Sequence, residues 1–181
     1  MQDKKHVSKT ALGAAFIALS AIAGLIESFI PSPLFAIPGV KLGLANAPIA
    51  CAFYFLGGKT AFLVLICKII LVFIFSGNPV SLMFSVCGGL FSFLALAFLI
   101  RTYGKIFSFI GISAVCALFH AFGQLIAAFF LIGGAIIYYF FIICASSVIA
   151  GAFCGLLINL ITAGTKNLFS AVKTAEVEDE T

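Results

Sequence analysis

Charge is the scarcest commodity in this chain. Asp, Glu, Lys and Arg make up 9% of its 181 residues, where a soluble domain carries about a quarter. So few charges cannot cover a water-soluble globule, and a composition that is 64% apolar excludes intrinsic disorder. Tryptophan is absent, and the only aspartates, Asp3 and Asp179, lie outside the apolar runs. None of the six cysteines sits in a CxxC pair or any other metal-ligand spacing, so neither a zinc site nor a disulfide framework is expected. Basic residues do not form a stripe with interleaved exposed aromatics, which excludes a nucleic acid partner. Three of the five prolines, Pro31, Pro33 and Pro38, crowd into one segment and leave the apolar runs nearly free of helix breakers.

What is present suits a lipid bilayer. Apolar runs cover about 10–30, 42–56, 59–76, 80–100, 105–131 and 135–163. The first is too long for a signal peptide and is followed by Pro31 and Pro33, so it reads as a retained span. The expected fold is an all-α integral membrane protein, a bundle of six transmembrane helices. Residues 1–9 form a cytoplasmic segment, 10–163 the membrane domain and 164–181 a cytoplasmic tail. The second run is short for a bilayer core of about 30 Å. The Pro-rich loop before it, 31–41, is therefore expected to dip into the membrane as a candidate lid. Six spans fill these residues without a soluble catalytic domain, so catalysis or nucleotide hydrolysis falls to partner proteins. With the N-terminus inside, Lys4, Lys5, Lys9, Lys59, Arg101, Lys105, Lys166 and Lys173 are cytoplasmic and Lys41 lies outside. This bias puts both termini in the cytoplasm.

Polar groups inside spans cost several kcal/mol and mark functional candidates. Glu27, Lys68, His120 and Gln124 lie in the runs, Lys41 and Asn46 open the second, and Ser85 lies with Gly88 and Gly89 in the fourth. On this topology nearly all collect in the outer half of the bundle. His120 and Gln124 are four apart and share a helix face. A structural alternative stands beside each: interhelical hydrogen bonding for His120 and Gln124, and a buried ion pair for Glu27 and Lys68. The functional reading is an outward-facing pocket for a small anionic or carbonyl-rich ligand. Ala11, Ala14, Ala15 and Ala18 form a small-residue face on the first span, suited to docking a partner subunit or packing within the bundle. The aromatic strings Phe53-Tyr54-Phe55 and Tyr138-Tyr139-Phe140-Phe141 read as interfacial anchors or pocket walls.

Several strings together resemble a known family. They are Glu27 before Pro31-Ser-Pro33, then Pro38-Gly-Val-Lys-Leu-Gly-Leu-Ala-Asn46, Ser76-Gly77, Phe84-Ser-Val-Cys-Gly-Gly89, and His120 with Gly123-Gln124. In this order they resemble the Gx transporter family, whose members are often labelled heptaprenyl diphosphate synthase component I. The resemblance covers roughly residues 10–163. Two positions depart from the family pattern: Lys68 stands where arginine is more usual, and Ala121 where asparagine is. The family is similar in size and layout to the substrate-binding S components of energy-coupling factor transporters. That resemblance implies a multi-pass protein of the bacterial inner membrane, an outer-half pocket, and a membrane coupling subunit with ATPases docked on the first helix.

Two other readings follow from the family label and its relatives. One is a non-catalytic membrane partner of a prenyl synthase. Prenyl transfer needs Mg²⁺ ions held by clustered carboxylates, and Glu27 is the only carboxylate within the spans, so catalysis by this chain alone is not expected. The other is a subunit of an extracellular electron-transfer system with a flavoprotein partner, where a quinone or flavin would be the cofactor. No metal ligands are expected in any of the three.

Overall fold

The computed structural model describes residues 2–29, 43–104 and 107–178. Apolar helix formers fill them, and six α-helices result: α1 (Gln2–Phe29), α2 (Ala47–Leu56), α3 (Gly58–Ser76), α4 (Pro79–Leu99), α5 (Phe109–Ile132) and α6 (Phe140–Glu178). Single 3₁₀ turns lead into α2 (Leu44–Asn46) and out of α4 (Ile100–Thr102), and a longer one (Gly134–Tyr139) leads into α6. The breaks fall where glycine permits them. Gly43, Gly57, Gly77, Gly104 and Gly133 all take positive φ, which side-chain-bearing residues rarely adopt. Asn78 caps α4 by accepting from Val80 and Ser81 N–H, and Pro79 at the first helical position lacks the donor a cap would otherwise serve.

Five segments are long and apolar enough to cross a membrane: Lys9–Ser28, Gly58–Ser76, Pro79–Thr102, Phe109–Leu131 and Phe140–Gly164. The chain is thus a multi-pass helical membrane protein. The sixth, Leu44–Leu56, is shorter and rises about 20 Å at 1.5 Å per residue. The helices run past the apolar segments: α1 starts at Gln2, before Lys9, and α6 continues past Gly164. The loop 31–41, with the expected lid and Lys41, lies outside the described residues.

Consecutive helices run up and down, and contacts between them fix which ends coincide. Gly13 of α1 faces Leu56 and Thr60, while Gly24, further along α1, faces Val72, Lys68 and Ala45. The start of α1 therefore lies with the end of α2 and the start of α3. Gly123 of α5 crosses against the backbone of Cys87 and Gly88 in α4, and Gly151 and Gly155 of α6 cross against the backbone of α5. A Cβ at Gly123 would stand 2.5 Å from the Cys87 carbonyl oxygen. These contacts show glycine letting backbones touch, the main means of helix association where lipid offers no hydrophobic drive. Short α2 sits within the bundle, packed against α1, α3 and α6. Residues 47–52 of α2 are all buried.

Candidate functional site

A helix whose start is buried leaves its first N–H groups without water to bond. The turn before α2 meets this problem with side chains from α1. Glu27 Oε1 accepts from Leu44 N–H at 2.6 Å, Ser20 Oγ donates to the Ala45 carbonyl at 3.0 Å, and Asn46 N–H returns to the Gly43 carbonyl at 2.9 Å. A carboxylate at the head of a helix also suits the positive end of its dipole. Glu27 is 8% exposed and Ser20 fully buried, so α1 and the mouth of α2 form one hydrogen-bonded unit.

Glycines make the space for the larger polar side chains. Lys68 of α3 lays its stem along Gly24 of α1, where an added Cβ would come within 3.3 Å of the Lys68 Cε. The His120 ring of α5 sits between Gly43 and Gly88. A Cβ on Gly88 would lie 2.8 Å from His120 Cε1, 2.9 Å from Nδ1 and 3.0 Å from Gln124 Cγ. Asn46 Nδ2 approaches His120 Nδ1 at 3.2 Å. Lys68 and His120 are each 4% exposed, and Gln124 is 1% exposed.

The described polar candidates lie in one region of the bundle. Glu27 of α1 and His120 of α5 reach residues 43–46 directly, while Lys68 of α3 lies beside Gly24 and Gln124 of α5 beside Gly88. Ser85 is buried on α4, one turn from Gly88. Three residues of this region escaped sequence reasoning. Ser20 donates to the Ala45 carbonyl, and Ser81 and Ser92 are buried on the face of α4 that holds Ser85, Gly88 and Gly89. The spacing 81, 85, 88, 92 is a helical repeat of small and hydroxyl residues, which was the available signal.

The cluster is not fully satisfied internally. Asn46 Oδ1 and Gln124 Nε2 are buried without a hydrogen-bond partner, as are Ser76 Oγ and Ser81 Oγ. Buried polar groups nearly always find partners, so two such atoms beside one histidine are informative. A cavity of about 30 Å³ opens below Asn46, lined by Ala50, Ser92, Ser113, Cys116 and Cys154 among others. That is room for about two water molecules, far below the about 300 Å³ or more of a small-molecule site. All six cysteines are free thiols.

The α1 alanines have a different setting. Ala11, Ala14, Ala15 and Ala18 are all exposed, in line with Leu19, Ile22 and Ile26. Ser20 and Gly24, which share the same kind of spacing, point into the bundle. The small residues of α1 therefore belong to two faces, one built into the fold and one open.

The aromatic strings also part ways. Tyr138 and Phe141 are 87% and 81% exposed, as interfacial anchors would be. Phe53, Tyr54 and Phe55 are half-buried and join an aromatic cluster at the far end of α2. There Tyr103 stacks on Phe109 with centroids 3.9 Å apart, and Tyr54 meets both edge-on. Phe93 bridges Phe53 and Phe62.

Against known proteins, residues 16–161 match the family described as heptaprenyl diphosphate synthase component I. No curated protein and no solved structure matches. The match spans most of the chain, and the chain belongs to that family.

Proposed function

We propose that this member of the heptaprenyl diphosphate synthase component I family is a membrane-embedded binding subunit. It takes a small polar molecule at the cluster around residues 43–46 and acts with partner proteins. The reading is carried by one observation: the two unpartnered amide atoms, Asn46 Oδ1 and Gln124 Nε2, beside a glycine-flanked His120. A bundle that needed only internal hydrogen bonds would have closed them or replaced them with apolar side chains. The cavity below is too small for such a molecule, so binding entails movement of the mouth of α2. Both termini are cytoplasmic in this reading. Lys9, Lys59 and Arg101, all exposed and all at the aromatic end of the bundle, support it. All six helices then cross or enter the membrane, and the polar cluster opens outward.

In the same reading the bundle resembles a transporter S component, and a coupling subunit driven by ATPases docks on the exposed face of Ala11, Ala14, Ala15 and Ala18. The chain performs no prenyl transfer by itself, because Glu27 is the only carboxylate in the apolar segments.

A second reading has its own support. The family's description points to a prenyl synthase partner. An open groove of about 380 Å³ between α5 and the start of α6 is lined solely by apolar residues, including Phe122, Leu125, Phe129 and Phe140. Such a groove suits a hydrocarbon chain.

Native mass spectrometry of the protein in mild detergent tests both, with Gln124→Leu and Lys68→Ala as comparisons. A small polar molecule held by wild type and lost from Gln124→Leu is the expected result. A prenyl diphosphate retained equally by wild type and both variants favours the second reading and sinks the first.

A further inference from the structure

Polar atoms left over in a closed site describe its ligand by complement. Gln124 Nε2 is a donor without an acceptor, and Asn46 Oδ1 an acceptor without a donor. Beside them lies the contact between Asn46 and His120. The amide nitrogen of Asn46, which can only donate, stands 3.2 Å from His120 Nδ1. The Asn46 oxygen is the atom left for something else.

Three kinds of ligand can be set against this pair. An anion such as a diphosphate or carboxylate brings only acceptors. It would serve Gln124 but confront Asn46 Oδ1 with lone pairs. A quinone brings two carbonyls and no donor, so it too leaves Asn46 unserved. A group with C=O beside N–H satisfies both atoms at once. The surrounding charges agree. The described site holds one basic side chain, Lys68, and one acidic one, Glu27, whose Oε1 is engaged by Leu44 N–H. At this depth an unmatched ligand charge costs far more than an unmatched dipole.

We infer that the site recognises a neutral cis-amide or imide edge, its carbonyl on Gln124 Nε2 and its N–H on Asn46 Oδ1. The inference rests on the cluster being a ligand site and narrows the chemical class that it takes.

Saturation-transfer NMR on the detergent-solubilised protein tests it with three probes: 2-pyridone, N-methyl-2-pyridone and inorganic diphosphate. The first has the paired C=O and N–H, the second lacks the donor, and the third has acceptors only. The expected order is 2-pyridone first, the N-methyl ring at least about tenfold weaker, and no diphosphate signal. Gln124→Leu abolishes the 2-pyridone signal. Because the probe series is run on wild-type protein, it does not depend on a variant folding. Equal binding of the two rings overturns the amide class. Diphosphate binding that is lost in Gln124→Leu also overturns it, while leaving the site itself standing. If none of the three binds, the inference fails, and the broader reading is then judged by the co-purification experiment alone.

Discussion

The two ends of α2 are built on opposite rules. At its C-terminal end, aromatic rings from α2, α3, the segment after α4 and α5 fill space and stack. At its N-terminal end, glycines hold space open, polar side chains occupy it, and two amide atoms lack partners. One end satisfies the requirements of a stable core. The other breaks the rule that buried polar groups are paired, and such local violations gather at functional sites. The aromatic end should therefore govern stability and the polar end binding, and substitutions can separate the two.

The largest effect on stability is expected at the aromatic end. Phe109 is 2% exposed and touches both Tyr54 and Tyr103. Phe109→Ala should lower unfolding stability by about 3–5 kcal/mol, read as a drop in Tm in detergent, while ligand retention per folded molecule is unchanged. Loss of ligand at unchanged Tm would reverse the assignment of the two ends.

Next comes Gly88→Val. Its Cβ would fall on the His120 ring and the Gln124 stem, both side chains with some freedom to yield. The stability cost should be about 1–3 kcal/mol, and binding should vanish, because the displaced groups are the ones that recognise the ligand. A variant that binds normally would show that the His120 position is irrelevant to function.

The spans and the polar candidates were legible in the sequence, the packed aromatic cluster around Tyr54 was not, and the limits are physical. The spans were readable because apolar runs end at Gly57, Gly77 and Gly133, where the backbone turns through positive φ. The polar candidates were readable because any such group in a membrane helix is conspicuous. Their partners were not. Glu27 bonds a backbone N–H seventeen positions away, and a backbone group carries no mark in sequence. The glycines beside Lys68 and His120 look like any other glycines until the helices are assembled. Alanine and glycine are so common here that spacing alone could not tell the exposed Ala11–Ala18 face from the inward Ser20 and Gly24. The apolar part of α6 ends at Gly164, close to where its run ends in the sequence, while the helix itself continues to Glu178.

A smaller effect, opposite in sign, separates the two ends most sharply. Gln124 is buried with its Nε2 unserved, and leaving such a group unpaired costs about 1–3 kcal/mol. Gln124→Leu removes that liability at similar volume. The variant should gain about 1 kcal/mol in unfolding stability and lose its ligand. No substitution at the aromatic end should combine those two outcomes. A Gln124→Leu protein that is both less stable and still able to bind would mean that the amide is an ordinary structural strut.

The smallest effect on the isolated chain lies on neither end. Ala15 is exposed on the outer face of α1, away from the Ser20, Gly24 and Glu27 side. Ala15→Leu adds an apolar side chain to a surface that already presents Leu19, Ile22 and Ile26, so stability should move by no more than about 0.5 kcal/mol and ligand retention should not move at all. If a helix from another subunit packs closely there, the larger side chain separates the backbones, and co-purification of that subunit should fall. Binding and stability would then be intact while assembly fails, which neither end of α2 can produce alone. Unaltered assembly in Ala15→Leu, and in Ala11→Leu beside it, would leave the alanine face as plain lipid-facing surface and move the search for the docking site to another helix.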